Sequence, residues 1–158
     1  MVQVSAHAVN SKSFSREVQF VFPSISMQNL IAIPTMQHAS HDLVNIGDDI
    51  EDEKDRLLLA FFDVAEQFMQ EVKSSGDYWV DYIDPCSGLP VSVKTDGQKV
   101  FSEVECAQTL LAYNVMNAGC CKVIVHPQWG SAVYPASIFT TAPAEVVLLA
   151  LRKCGQQS

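Results

Sequence analysis

Residues 49–73 read "DIEDEKDRLLLAFFDVAEQFMQEVK", and the fold class turns on this stretch. Leu57, Leu58, Phe61, Val64, Ala65, Phe68, Met69 and Val72 recur at steps of three and four, which makes one buried stripe on a helix. Glu51, Asp52, Glu53 and Asp55 fill the opening turns, where carboxylates suit the positive end of the helix dipole. The acidic run therefore reads as a solvated helix start and not as a metal site. "SSG" at 74–76 closes the helix, with Gly76 expected in the left-handed conformation of a helix terminus.

Extended segments surround this helix. "EVQFVF" (17–22) alternates Val18, Phe20 and Phe22 and predicts a strand. "NLIAIP" (29–34) predicts a second, stopped by Pro34, followed by a loop with one extended piece at 43–46. "YWVDYIDPCSG" (78–88) is a strand running into a turn, with Asp84 as the turn's cap. "LPVSV" and "KVF" flank "KTDGQ", whose Asp-Gly pair signals a hairpin. Residues 102–117 fit a helix, with Ser102 and Glu105 spaced as a capping box. Strands follow at 120–126 and 131–139. A closing helix starts at Pro143, with Glu145 in its first turn, Arg152 and Lys153 in its last, and Gly155 behind them. Residues 1–13 are small, polar and aperiodic, and are expected to be disordered; 14–158 then form a single domain. The order of elements is that of an α+β protein.

Composition narrows the function. The 158 residues suffice for one core, and 48% hydrophobic with 18% charged is ordinary for a globular chain. Eighteen acidic against ten basic residues, a net charge of −8, argue against a nucleic-acid surface, which needs clustered Lys and Arg. No apolar run reaches the roughly 18–20 residues that span a bilayer. The acid-free, Ser-rich start up to Arg16 has the composition of a transit-peptide remnant but no secretion-signal layout. Five cysteines, irregularly spaced and without a CxxC pair, suit a reduced intracellular protein and disfavour a structural zinc site. His38 and His41, with Asp42 beside them, lack an evident third metal ligand. Trp129, in the "HPQWG" loop, is a candidate interface anchor.

Two of the cysteines are adjacent in "NAGCCKVIVHPQWG" (117–130). Side chains alternate across a strand, so Cys121, Val123 and Val125 share an apolar face, and Cys120, Lys122, Ile124 and His126 share a mixed one. Cys121 is then expected to be buried and Cys120 accessible, with Lys122 near enough to favour its thiolate. Small apolar filler also accounts for two cysteines in a strand. His126 lies roughly 20 Å along the strand from Cys120, too far for a Cys-His dyad.

"YWVDYIDPCSGLP", "AGCCKVIVHPQWG" and "SIFT", in this order, resemble the C-terminal domain of the CblD family, the methylmalonic aciduria and homocystinuria type D proteins. Weaker similarity runs through "VFPS", "LIAIPT" and the long helix, so it covers roughly residues 17–153. The resemblance implies a nitroreductase-like α+β sandwich, mainly an antiparallel sheet flanked by helices, without flavin. It implies an adapter in intracellular vitamin B12 trafficking and not an enzyme. Such an adapter binds a CblC-like cobalamin carrier and directs the cofactor toward methionine synthase in the cytoplasm or methylmalonyl-CoA mutase in the mitochondrion. Cobalamin would be shared with that partner, and the first cysteine of the pair, Cys120 by motif, would be the ligand to cobalt. Asn117, Ala118, Gly119, Lys122 and Trp129 are the expected rim of the partner interface. The resemblance also implies, for full family members, an N-terminal extension with targeting information, little of which is expected in this sequence. Two rivals from other classes are a flavin-dependent oxidoreductase on the same fold and a thiol redox protein using Cys120 and Cys121; strain in a disulfide between neighbours disfavours the second.

Overall fold

A computed structural model describes residues 1–92 and 99–155. The "KTDGQ" hairpin expectation lies mostly outside the described residues. The rest form an α+β fold with antiparallel sheets and four helices among the described residues, as the sequence predicts at the level of class.

The core pair of strands is β3 (Ile31–His38) against β7 (Val133–Thr140), in register from Ile31↔Thr140 to His38↔Val133. On one side of β7 lies β4 (Val80–Tyr82). The free side of β3 takes two short strands in succession, β1 (Val2–Val4) and β2 (His7–Ala8). Residues 1–13 are therefore not disordered: their aperiodicity is that of an edge strand broken near Ser5. That break explains Pro34, which was expected to end its strand and instead sits inside it, opposite Ser137. The Pro34 carbonyl accepts from Ser5 N (3.4 Å), so its missing N–H also faces the interrupted edge and costs no rung of the β3–β7 ladder.

The long helix forms as predicted, α2 (Asp48–Ser75), with Leu57, Phe61, Ala65, Phe68, Met69 and Val72 buried. It packs with α4 (Ala144–Lys153) on one face of the sheet, against Ile33, Val80, Tyr82, Ala136 and Ile138. Gly76 has φ 165°, extended and not left-handed. Glycine is needed there for room, since a Cβ would lie 2.7 Å from the Tyr78 ring.

The opposite face is covered by α1 (Lys12–Val21) and α3 (Glu103–Leu111). The segment 17–22 is thus a helix end, not a strand. Phe14, Val18 and Val21 are buried at steps of four and three, whereas Phe20, which completed the apparent alternation, is 48% exposed. Ser11 caps the helix by accepting from Phe14 N. Ser102 caps α3 as expected, accepting from Glu105 N at 3.2 Å. That helix is shorter than predicted. Ala112 takes a left-handed φ of 54° and ends it, and Asn114–Ala118 becomes strand β5. β5 pairs with β6 (Cys121–Val125) as a separate two-stranded hairpin, and its base packs on the sheet through a small satellite core of Met36, Ala107, Ile124 and Val133.

Candidate functional site: a thiol-bearing hairpin

Register places the two cysteines. Ala118 pairs with Cys121, so Gly119 and Cys120 are the two residues of the hairpin turn. Gly119 has φ 65° while Cys120 does not have a positive φ, the type II′ arrangement with glycine first. Cys120 is exposed, as expected, because it occupies the tip and not because of which strand face it takes. Cys121 is also exposed, which overturns its expected burial. The mixed face is the buried one: Ile124 and His126 are each 3% exposed, while Val123 and Val125 are half-buried. An imidazole can be buried when both its nitrogens are partnered, and that decides the facing here.

His126 Nδ1 accepts from Gln128 N (3.0 Å) and Trp129 N (3.2 Å), so the ring proton sits on Nε2 and is donated to Gln3 Oε1 at 2.7 Å. The His126 ring stacks on Trp129, with centroids 4.0 Å apart and planes 9° apart, and His38 also stacks on the indole, at 4.8 Å. Tyr113 meets His126 edge-on. Burial, with a smaller contribution from His38, lowers the His126 pKa. The base of the hairpin is thereby tied to edge strand β1 through Gln3.

Of the expected rim, Asn117, Ala118, Gly119 and Lys122 gather at the tip, with Asn117 paired to Lys122. Asn117, Gly119 and Lys122 are exposed and Ala118 is half-buried. Trp129 is not with them. It lies in the turn beyond β6, half-buried and stacked with two histidines, as part of the hairpin's foundation. The His38, His41 and Asp42 group also disperses. His41 Nδ1 lies 3.0 Å from Glu53 Oε2, and Asp42 Oδ1 accepts from Ser131 Oγ at 2.8 Å. No group of three or more His, Cys, Asp and Glu is placed to hold a metal ion among the described residues. Asp84 caps its turn as expected, accepting from Cys86 N at 2.9 Å.

A contrasting thiol went unnoticed in the sequence. Cys106 is 1% exposed on α3, 3.7 Å from Ser137 Oγ, and Ser137 donates to Glu103 Oε2 at 2.6 Å. Burial raises the Glu103 carboxyl to about 7. Burial and the Glu103 charge push the Cys106 thiol upward, so it is chemically quiet.

The fold and site define an α+β chain that displays adjacent thiols on a projecting hairpin, fixed at its base and open at its tip. The family model for the methylmalonic aciduria and homocystinuria type D protein matches residues 6–152, and the chain belongs to that family. It is 33% identical over 130 residues to the rat cobalamin trafficking protein CblD, covering 82% of this chain and 43% of the rat protein. The human protein of the same name is 32% identical over 127 residues, covering 80% of this chain and 42% of its own length. The chain thus spans about two fifths of the length of the curated relatives it matches. No helix among the described residues is long and apolar enough to cross a membrane.

Proposed function

We propose that this chain is a cobalamin-trafficking adapter, not an enzyme. In this reading Cys120 ligates the cobalt of cobalamin while a CblC-like carrier holds the corrin. The observation that carries it is the position of Cys120: an exposed thiol in a two-residue turn at the end of a hairpin whose other end is anchored. Thiolate is a soft donor suited to transition metals. On ligation the Cys120 thiol would give up its proton to solvent and supply a thiolate donor in place of an exchangeable ligand of cobalt. Asn117, Ala118, Gly119 and Lys122 flank the thiol and form the rim against the carrier. The name shared by the relatives supports the trafficking role.

The helices on both faces of an antiparallel sheet suit a nitroreductase-like sandwich, and in this reading it works without flavin. Delivery would be to methionine synthase in the cytoplasm or methylmalonyl-CoA mutase in the mitochondrion. The relatives lend nothing to the flavin-dependent alternative. Cys121 is exposed beside Cys120, so a second reading makes it the ligand. Turn position and the family motif favour Cys120.

The test is the visible spectrum of cobalamin on a CblC-like carrier, titrated with this chain. The expected result is a shift of the corrin bands that the Cys120→Ser variant fails to produce. No shift with the unmodified chain would remove the ligation claim.

A further inference from the structure

We infer that His126 is a positioning residue for the Cys120 hairpin, a latch whose neutral imidazole holds the 126–130 turn closed at the hairpin's base and whose protonation loosens that turn. The inference rests on the ligation reading for its purpose, but its geometry is independent of cobalamin. Every polar edge of this buried ring is committed in one tautomer: Nδ1 accepts two backbone N–H groups and Nε2–H donates to Gln3. An imidazolium has two donors and no acceptor. Protonation at Nδ1 would therefore face the Gln128 and Trp129 N–H groups with a third N–H, and it would strain the 126–130 turn against the His126–Gly130 backbone pair that closes it.

The groups packed around the ring sharpen this response. From β3, His38 also stacks on Trp129, and its Coulombic influence lowers the His126 pKa. From the residue before β5, Tyr113 contributes an edge-on phenol, neutral below its raised pKa. From β1, Gln3 is uncharged and is also held by Gln128, whose Oε1 accepts at 3.4 Å. No carboxylate contributes to the His126 shift. Trp129 is the one neighbour that favours the cation, through its π face. It does so only while stacked, and the backbone N–H that fixes its loop is one of the two that protonation displaces.

The turn lies six residues from Cys120 along the strand, so release at the base frees the tip's direction without touching the thiol. Neutral conditions would hold the thiol in one aim for the carrier; mild acid would let it swing.

Hydrogen–deuterium exchange of the unliganded chain tests the latch. Rates are compared at about pH 7.5 and about pH 4.5, the lower value set well below the ordinary histidine range because burial lowers that of His126, after correction for intrinsic exchange. Protection of residues 114–125 is expected to fall on the order of tenfold more than that of α2. His126→Asn keeps an acceptor for the turn but cannot titrate, and its hairpin protection should not change with pH. His126→Ala should lose the hairpin's protection at both values while α2 stays protected. If the unmodified chain and His126→Asn share one pH profile, or if the hairpin of His126→Ala stays protected, the latch is wrong. Because no cobalamin is present, either result leaves the ligation reading to its own spectral test.

Discussion

The central sheet and the thiol hairpin are both antiparallel, yet they are held together in opposite ways. β3 and β7 share eight paired positions and are covered on both faces, by α2 and α4 on one side and α1 and α3 on the other. The hairpin has five paired positions, a satellite core at its base only, and an exposed tip. The core excludes water from nearly every side chain; the hairpin spends its burial at one end to present two thiols at the other. The cysteines repeat the contrast. Cys106 is sealed beside Ser137 with its thiol pushed up, while Cys120 meets solvent.

Substitutions that strike each region separately should break this contrast in order of size. Phe68→Ala, in a side chain 0% exposed at the centre of α2, should cost about 3–5 kcal/mol in denaturant unfolding and take the whole fold with it. Ile124→Ala should cost roughly 2–4 kcal/mol or less, at the smaller end if the loss stays in the satellite core. Its exchange pattern should show the hairpin loosened and α2 intact. Equal loosening of both would merge the two regions into one cooperative unit.

Glu103→Gln probes the boundary between them. The folded carboxyl sits at about 7, above its ordinary value of 4.5, so the fold holds the proton more tightly than the unfolded chain does. That contribution is full below about pH 4.5 and is lost as pH rises through about 7. The glutamine variant keeps an acceptor for Ser137 without the charge. Its stability advantage should be near zero at low pH and grow to roughly 1–3 kcal/mol above neutrality. A difference that does not vary with pH would contradict burial of this carboxyl. The smallest effects belong to the tip: Cys120→Ser and Cys121→Ser should each change stability by less than about 0.5 kcal/mol, because both side chains are exposed. A large loss for Cys121→Ser would restore the buried assignment that strand alternation favoured.

Much of this was legible in the sequence where one physical signal acted alone. The α2 stripe, the Ser102 cap, the closing helix and the Asp84 turn all follow from spacing and local chemistry. It misled where two signals overlapped. In 17–22 a helix terminus mimics alternation because Val18 and Phe22 are four apart and Phe20 falls between them. Pro34 reads as a strand end unless the gap in the neighbouring strand is known, and that gap is a tertiary fact. The hairpin was inverted for a related reason: a histidine looks polar in sequence, but Gln3, 123 positions away, lets it be buried. The exposure of Cys120 was anticipated, for a face when the cause is a turn. The buried Glu103, Ser137 and Cys106 cluster needs two elements brought together and had no local signature.

The proposal to test first is that Cys120 meets cobalt and that its neighbour Cys121, also exposed, does not. The direct measurement is one spectral titration of cobalamin on a CblC-like carrier, run with the unmodified chain, Cys120→Ser and Cys121→Ser side by side. The account predicts the same shift of the corrin bands for the unmodified chain and Cys121→Ser, and none for Cys120→Ser. A shift that survives in Cys120→Ser, or one that vanishes only in Cys121→Ser, would contradict it.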